Sequence, residues 1–436
     1  MNILIKNVTA VLPEGVREKV NIAITGDVIT AVWSGTSVIS GDLTGFTPER
    51  TIDGGGKLAF PGLVNCHTHA YMTLFRNLAD DLTFDEWLFR SVMPLEDVTT
   101  GEDAYWGSLL GYAEMLKTGT TSFADMHMFT PFCAAAADKI GIRGVMTRGL
   151  VGNGRNDEGG LRRIAEFRQE AEKYKDHPRL TFMVAPHAVY TTDREYLELC
   201  AETAKEAGVS VNIHVSETLY EVSSCKEAHG GLSPVEYIEK TGLFDVNAVA
   251  AHCVHLSERD MDILAEKRVN VAANPKSNLK LANGTAPVPE LLKKGVNVCI
   301  GTDGAASNNA LNMFSEMNFS ALLHKGRLGD PTVTGAAETF RMATAAGAKA
   351  LQINAGEIAA GKKADIVLSD LARPQFCPKQ NLVAALVYSA NGSEVETVIV
   401  DGEIVLENGR LTRLDENEVM RKANESLKRI KERAGK

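Results

Sequence analysis

Residues 61 to 69 read Pro61-Gly62-Leu63-Val64-Asn65-Cys66-His67-Thr68-His69, an apolar run that ends in two histidines one residue apart. Side chains alternate along an extended strand, so His67 and His69 point to the same side and both imidazoles can reach one metal ion. Such pairs are common by chance, and one pair alone does not define a metal site. Further apolar runs of the chain end in His214, His252 and Asp303. This recurrence predicts that several strands bring polar side chains to one place.

Short apolar runs alternate with longer amphipathic segments through the middle of the chain, a pattern typical of repeated strand-helix units around a parallel sheet. Helical spacing is clear in residues 102–117, 162–173, 194–207 and 258–267. The candidate strands end near Asn65, Ala124, Leu150, Ala185, Ile213, Ala251, Ala273 and Gly301. Eight such units predict an α/β fold with a (β/α)8 TIM barrel covered by helices.

Both ends of the chain predict short strands. Residues 1–57 contain β-branched runs and a turn at Gly26-Asp27, and residues 360–412 contain similar runs around a turn at Asp401-Gly402. We expect these two segments to form one composite β-sandwich domain beside a barrel of residues 58–359. Residues 413–436 combine helix-favouring charged residues with a narrow apolar stripe, which predicts a C-terminal helix on the surface.

The composition limits the class of protein. A chain of 436 residues with 44% hydrophobic and 23% charged residues can bury a sizeable core without disulfides. Its formal charge of -10 argues against a nucleic-acid partner and favours a small neutral or cationic substrate. The seven cysteines are odd in number and scattered, so we expect free thiols. No apolar run reaches the length of a membrane span, and we expect a cytoplasmic homo-oligomer that needs no membrane.

Polar residues fall where the predicted barrel strands end, which is the catalytic face of such barrels. Five of the ten histidines lie at or just after a predicted strand end: His67, His69, His187, His214 and His252. Any one of them taken alone would more often be a core histidine, but the set is improbable by chance. Three imidazoles and one carboxylate make a site suited to zinc, iron or manganese. Such a metal lowers the pKa of a bound water to about 7 and makes hydroxide available as a nucleophile.

Residues next to these strand ends suit proton transfer. Glu217 lies three residues after His214, close enough to stand beside a metal without binding it, and suits a general acid. The alternative is that Glu217 only caps the following helix. His252 can orient the hydroxide or hold charge as it develops, and Asp303 can help to remove the proton of the water.

Several stretches in order resemble one family. They are residues 61–69, 185–191 (Ala-Pro-His-Ala-Val-Tyr-Thr), 213–218 (Ile-His-Val-Ser-Glu-Thr), 251–256 (Ala-His-Cys-Val-His-Leu), 274–281 (Asn-Pro-Lys-Ser-Asn-Leu-Lys-Leu) and 301–309 (Gly-Thr-Asp-Gly-Ala-Ala-Ser-Asn-Asn). Over nearly its whole length the chain resembles the amidohydrolase superfamily, and within it most closely the 5-methylthioadenosine/S-adenosylhomocysteine deaminases.

The resemblance implies one divalent metal per subunit, most often Zn2+ with Fe2+ or Mn2+ as alternatives, held by His67, His69, His214 and Asp303. It implies hydrolytic removal of the purine amine from adenosine-type nucleosides: 5-methylthioadenosine, S-adenosylhomocysteine, and also 5'-deoxyadenosine or adenosine. In this reaction Glu217 protonates a ring nitrogen, while Asp303 and His252 assist the water.

The resemblance also implies substrate contacts. Glu96 matches the residue that binds ribose hydroxyls, and Arg148 and His187 match substrate-contacting positions. Without the resemblance, Glu96 is a solvated charge and Arg148 belongs to a buried ion pair. Trp87 either shields the adenine or packs in the core.

Two alternatives stay open. A related amidohydrolase such as a guanine-type deaminase or a triazine chlorohydrolase keeps the metal chemistry and changes the leaving group. A non-catalytic scaffold keeps the fold without the metal. A bridging lysine of the binuclear type is absent from Val184-Ala185-Pro186-His187, so we expect a single metal.

Overall fold

The computed structural model describes residues 1–83 and 86–435, whose strands form two sheets. The strands are β1 Asn2–Leu12, β2 Gly15–Thr25, β3 Val28–Ser34, β4 Ser37–Gly41, β5 Arg50–Asp53, β6 Lys57–Pro61, β7 Leu63–His69, β8 Thr120–His127, β9 Arg143–Leu150, β10 Leu180–Pro186, β11 Val211–Val215, β12 Ala248–His252, β13 Asn270–Ala273, β14 Asn297–Ile300, β15 Asp303–Gly304, β16 Ile366–Asp370, β17 Val395–Val400, β18 Glu403–Glu407 and β19 Arg410–Leu411.

The α-helices are α1 Met93–Glu96, α2 Gly101–Lys117, α3 Thr130–Ile140, α4 Glu158–Lys173, α5 Arg194–Ala207, α6 Leu219–Ala228, α7 Pro234–Glu239, α8 Glu258–Glu266, α9 Pro275–Lys280, α10 Val288–Lys293, α11 Ala305–Asn308, α12 Met313–Leu328, α13 Ala336–Met342, α14 Ala345–Ala350, α15 Leu382–Tyr388 and α16 Glu416–Arg433. Short 3-10 helices lie at Ala70–Phe75, Leu243–Asp245 and Pro374–Phe376, and a π-helix lies at Glu86–Val92.

Strands β7 to β14 lie side by side in chain order, and β15 pairs with β7 at the other end of the row. Only residues 301 and 302 separate β14 from β15, so the row closes into a parallel barrel whose eighth strand has two parts. At this closure a Cβ atom on Gly301 would lie 2.4 Å from Asn274 Oδ1 and 2.8 Å from the carbonyl oxygen of His67, which only glycine avoids. The predicted (β/α)8 barrel is therefore confirmed.

The barrel strands carry apolar side chains on both faces, as strands buried on both sides do. Along β8, Ala124 packs inside the barrel with Val64 and Val145, whereas Phe123 packs outside it against the helices. The predicted strand ends differ from the observed ends by at most four residues. The largest difference is at β7, which continues from Asn65 to His69.

The two ends of the chain share one mixed sheet of ten strands, as predicted. β6 pairs in parallel with β1 and antiparallel with β16, so hydrogen bonds join the N-terminal and C-terminal segments directly. Apolar residues of both segments, such as Ile22 and Ile366, belong to one buried cluster. The domain boundaries near residues 57 and 360 stay a prediction.

Arg143 connects the barrel to this terminal sheet. Its guanidinium donates to Asp365 at 2.9 and 3.1 Å and to Asp401 at 2.7 Å. Burial alone would lower the pKa of Arg143, but the two carboxylates raise it above its usual value. This buried cation and its two carboxylate partners hold the start of β9 on the terminal sheet. Removal of the guanidinium or of the carboxylates would leave a buried charge unpaired.

The predicted C-terminal helix is present as α16, which packs on α2. Arg429 donates to Asp103 at 3.1 Å and Arg433 donates to the same buried carboxylate. The apolar stripe of α16 includes Val419 and Ile430, both buried.

All seven cysteines are free, as the sequence predicted, and all but Cys377 are buried. Across residues 1–83 and 86–435, every helix is too short or too polar to cross a membrane.

Candidate active site

The ends of β7, β11 and β15 bring imidazoles and a carboxylate together inside the barrel mouth. The ring centroid of His67 lies 5.0 Å from that of His69 and 4.8 Å from that of His214. Asp303 Oδ1 lies 3.7 Å from His67 Nε2 and 3.3 Å from His69 Nε2. Candidate ligand atoms of His67, His69 and His214 all lie within 4.8 Å of one another, and so do those of His67, His252 and Asp303. Two overlapping sets therefore meet at His67.

Backbone carbonyls orient two of these imidazoles. His69 Nδ1 lies 2.5 Å from the carbonyl oxygen of Met126, and His214 Nδ1 lies 2.8 Å from that of His187. A carbonyl accepts from the Nδ1–H of each ring and leaves Nε2 as a lone-pair donor, which is the usual arrangement of metal-binding histidines. Burial first, and then the imidazoles around it, hold the pKa of His214 well below its usual range. The neutral ring is the form that binds a metal.

The surroundings of His67 show whether these residues fit a metal ion. It is fully buried, and within residues 1–83 and 86–435 neither of its ring nitrogens has a hydrogen-bond partner. A buried polar atom without a partner costs about 1–3 kcal/mol. Burial and the nearby imidazoles hold the pKa of His67 well below its usual value, so the ring is neutral. A buried neutral imidazole facing two other imidazoles and a carboxylate fits a divalent cation.

Asp303 is held in place by hydroxyl groups. Its Oδ2 accepts from Ser277 at 2.5 Å and from Ser307 at 2.9 Å, and Oδ1 accepts from the backbone N–H of Gly304 at 2.8 Å. Burial acts to raise the pKa of Asp303, but the His252 and His69 imidazoles and these hydrogen bonds lower it below its usual value. The carboxylate is therefore ionised, as a metal ligand or a proton acceptor must be.

Glu217 and His252 face each other beside this cluster. Glu217 is only 8% exposed, and its Oε2 lies 3.8 Å from His252 Nε2. Burial, assisted by the charge of Asp303, raises the pKa of the Glu217 carboxyl, so it can keep a proton closer to neutral pH. Asn283 donates to Glu217 Oε1 at 2.9 Å and fixes the side chain. A buried, oriented carboxyl with a raised pKa is what a general acid requires.

His252 is oriented by Asn278, whose Oδ1 lies 2.8 Å from His252 Nδ1. Burial would lower the pKa of His252, but the carboxylates of Glu217 and Asp303 raise it above its usual value. The ring can therefore take up a proton while its Nε2 faces Glu217.

The alternative that Glu217 caps α6 is wrong, because Thr218 is the capping residue.

The backbone around the site is strained. Four non-glycine residues there have φ values between 51° and 71°: Ser216, His252, Cys253 and Asp303. A left-handed conformation at a non-glycine residue costs about 1–3 kcal/mol and persists where the surroundings enforce it. These residues lie at or next to the ends of β11 and β12 and at the start of β15, beside His214, Glu217 and the other candidate site residues.

Two predicted substrate residues, Glu96 and Arg148, line one cavity of about 590 Å³, and the residues described as its lining do not include the histidines of the cluster or Asp303. Glu96, half-buried, accepts a hydrogen bond from Tyr71, and burial raises the pKa of its carboxyl. Arg148 donates to Glu166 at 2.9 and 3.2 Å, so it lies in an ion pair, although the Glu166 side chain is 45% exposed. The cavity wall also includes Met128, 45% exposed.

Two more of the predicted substrate residues, His187 and Trp87, are not among the residues that line this cavity. His187 Nδ1 lies 3.0 Å from Thr191 Oγ1, and its ring centroid is 4.8 Å from that of His214. Burial, with the imidazoles of His69 and His252, lowers the pKa of His187 to about 4, so the ring is neutral. Trp87 is buried in an apolar cluster and donates from Nε1 to the carbonyl oxygen of Ala306 at 3.1 Å. That contact favours packing for Trp87, and its role against adenine stays a prediction.

Sequence reasoning missed the side chains that orient the candidate catalytic groups. These are Ser277, Asn278 and Asn283, which contact Asp303, His252 and Glu217 respectively. All three fall within residues 274–283, the Asn-Pro-Lys-Ser-Asn stretch and the loop after it. The density of amide and hydroxyl side chains after a barrel strand is the signal that could have identified them.

Comparison with known proteins finds one matching family and several similar proteins. The amidohydrolase family model matches residues 58–405. The chain is 47% identical over 391 residues to the 5-methylthioadenosine/S-adenosylhomocysteine deaminase of Acetivibrio thermocellus, covering 89% of this chain and 90% of that protein. It is 46% identical over 381 residues to the 5'-deoxyadenosine deaminase of Methanocaldococcus jannaschii, covering 86% and 89%.

Among solved structures, a zinc-bound adenosine deaminase from Xanthomonas campestris is similar to the chain. The two superpose with a TM-score of 0.93 at 33% identity, over 99% of this chain and 98% of the other.

Proposed function

This chain belongs to the amidohydrolase family, and from that premise we propose that it is a metal-dependent deaminase of adenosine-type nucleosides. The reaction converts the nucleoside and water to the inosine analogue and ammonia. The substrates proposed are 5-methylthioadenosine, S-adenosylhomocysteine, 5'-deoxyadenosine and adenosine, in agreement with the activities named for the similar proteins.

The observation that carries this proposal is the position of Glu217 beside the histidine and aspartate cluster. Glu217 is a buried carboxyl with a raised pKa, and its Oε2 lies 3.8 Å from His252 Nε2. A proton donor next to a site that supplies an activated water is the combination that hydrolytic deamination requires.

His67, His69, His214 and Asp303 would hold the divalent metal, for which we propose zinc, since imidazole nitrogens and one carboxylate suit it. When bound, zinc lowers the pKa of a coordinated water to about 7 and so supplies a nucleophile at neutral pH. The zinc of the Xanthomonas campestris deaminase supports the choice, and Fe2+ or Mn2+ are the alternatives.

The protein's own residues move the protons. Asp303, ionised and 3.3 Å from His69 Nε2, accepts the proton of the attacking water together with His252. Glu217 gives its proton to the ring nitrogen next to the amine-bearing carbon, so that the carbon accepts the water oxygen. Asp303 then passes the proton of the water to the amine, the carbon–nitrogen bond breaks, and ammonia leaves. The remaining proton on the former water oxygen returns to Glu217 as the carbonyl of the product forms. One water is consumed for each ammonia released, and both carboxyls return to their starting state.

Substrate recognition is assigned to the side chains around the cavity. We propose that Glu96 accepts hydrogen bonds from the ribose hydroxyls and that Arg148 contacts the nucleoside, since both line the same space. We also propose that His187, which is neutral, makes one hydrogen bond to the purine and that Trp87 shields it.

The experiment is a substrate panel measured with the bound metal in parallel. Purified protein is incubated with the four nucleosides, guanine and a chlorotriazine, and adenine absorbance, ammonia and chloride are followed. Loss of adenine absorbance with equimolar ammonia is expected for the nucleosides. Turnover of guanine or the chlorotriazine alone would favour the related hydrolases, and a protein that neither holds metal nor responds to added zinc would favour a scaffold.

We also infer that the chain forms a homo-oligomer. Leu219 and Tyr220 at the start of α6 are 69% and 79% exposed, and together they offer an apolar surface that a second copy of the chain can cover. Light scattering coupled to gel filtration tests this, and the mass of a single chain at all concentrations would contradict it.

A further inference from the structure

The start of α6 differs from the starts of comparable helices in this chain. α2, α7 and α8 each begin with a capping box, in which the third helical residue accepts from the backbone N–H of the cap itself. In α7, for example, Glu236 accepts from the backbone N–H of Ser233 at 2.9 Å. α6 has the matching residues, with Thr218 as its cap and Glu221 at the third position.

Glu221 does not close this box. The cap hydroxyl accepts from the N–H of Glu221 at 3.0 Å, but the Glu221 carboxylate reaches past Thr218. Its Oε1 accepts from the N–H of Ser216 at 2.9 Å, and its Oε2 accepts from the N–H of Glu217 at 2.8 Å. Glu221 is only 3% exposed, so water cannot replace these bonds at little cost.

The backbone carbonyl of Ser216 is hydrogen-bonded as well. The carbonyl oxygen of Ser216 accepts from the backbone N–H groups of Val254 at 3.1 Å and His255 at 2.9 Å. Ser216 has a φ of 51°, a conformation that costs free energy unless contacts enforce it. Glu221 therefore holds the strained backbone from which the Glu217 side chain extends, and Asn283 holds the end of that side chain.

We propose that Glu221 is a positioning residue for the general acid Glu217. The inference rests on the proposed function, because it takes Glu217 to be the proton donor. The two oxygens of the buried Glu221 carboxylate accept from the backbone N–H groups of Ser216 and Glu217, from which the Glu217 side chain extends. Neither oxygen closes the capping box of α6. A displacement of the donor by about 1 Å can cost about 100-fold in rate.

The first test is Glu221→Gln, since an amide has one acceptor oxygen and must turn its NH2 group toward the other backbone N–H. We expect kcat to fall about 10- to 100-fold with KM and bound metal nearly unchanged. Glu236→Gln is the matched control, because it removes the same type of carboxylate from a capping box away from the site. Activity equal to the unmodified enzyme in Glu221→Gln would overturn the proposal.

The second test separates positioning from a general structural effect. If Glu221 acts through Glu217, the change Glu221→Gln should cause little further loss of rate in an enzyme that already carries Glu217→Gln. An equal fractional loss in both backgrounds would overturn the proposal. Glu221→Asp, one methylene shorter, serves as the second variant if the first does not fold.

Hydrogen exchange gives a measurement that needs no activity. The Ser216 and Glu217 amides should exchange faster in Glu221→Gln than in the unmodified protein, while the start of α7 stays protected. Unchanged protection of these two amides would overturn the proposal even in a protein with no deaminase activity. Absence of ammonia release from every nucleoside by the unmodified enzyme would instead reject the proposed function.

Discussion

Changing Glu217 to glutamine removes the proposed proton donor and keeps its surroundings. The amide oxygen can still accept from Asn283, which donates to Glu217 Oε1 at 2.9 Å. The NH2 group takes the place of Oε2, which lies 3.8 Å from His252 Nε2. An amide NH2 at this point can donate a hydrogen bond but cannot release a proton at neutral pH. The variant therefore keeps the shape of the pocket and loses proton transfer.

The size of the effect follows from these contacts. General acid catalysis contributes about 10²- to 10⁴-fold, which is about 2.7–5.4 kcal/mol of barrier at 1.36 kcal/mol for each factor of ten. Because glutamine has nearly the same size and keeps the hydrogen bond from Asn283, KM should change little. Stability should not fall, since burial already raises the pKa of this carboxyl and disfavours its charged form.

The assay is steady-state release of ammonia from S-adenosylhomocysteine and 5-methylthioadenosine, with bound metal and melting temperature measured on the same preparations. We expect kcat to fall by about 10²- to 10⁴-fold, with one metal per chain in both proteins. A variant with full kcat would refute the role of Glu217. A variant that lost its metal would show that Glu217 belongs to the metal site instead.

Three further results are expected. His214→Ala should lower the metal content measured by elemental analysis well below one per chain, with a smaller loss of folded protein, and an unchanged metal content would contradict its assignment as a ligand. Arg143→Ala should lower the free energy of unfolding by about 3–5 kcal/mol, because Asp365 and Asp401 lose their buried partner, while kcat at low temperature stays the same; denaturant titration measures this. Burial raises the pKa of Glu316 to about 7, so its stabilising contribution is full below about pH 4.5 and is lost as the pH rises through about 7. As the pH rises from 4.5 to 8, the free energy of unfolding of Glu316→Gln should therefore increase relative to that of the unmodified protein by up to about 3 kcal/mol. Equal pH dependence of the two free energies would contradict this.

The barrel and its histidines could be predicted because the signals are local. An apolar run sets a buried strand, and the strand period of two puts His67 and His69 on one side, where their rings lie 5.0 Å apart. The strand ends then place His214 and Asp303 near them, since the ends of parallel strands meet at one face of a barrel.

The contacts that orient these groups could not be predicted in the same way. Asn278 and Asn283 approach His252 and Glu217 from a loop and short helix more than twenty residues away, and their directions depend on the packing of that loop. Glu221 is the clearest case, because Thr218 and its spacing predict an ordinary capping box. The carboxylate instead accepts from the backbone N–H groups of Ser216 and Glu217, which precede the cap, and Ser216 has a φ of 51°.

The partner of Arg148 could not be predicted from the sequence either. The sequence places it at a strand end, and its partner Glu166 lies 18 residues later on α4. Whether they meet depends on how α4 packs against the barrel, which periodicity does not give. The structure shows the pair at the wall of the cavity that Glu96 also lines.

The proposed reaction requires that His67, His69, His214 and Asp303 at the barrel mouth share one metal. Chelation of the enzyme followed by titration with zinc, with bound metal and ammonia release from S-adenosylhomocysteine measured at each step, tests this most directly. The prediction is that activity is lost on chelation and returns in proportion to bound metal, reaching its maximum at one zinc per chain. Full deamination by metal-free protein, or a maximum at two metals per chain, would contradict it.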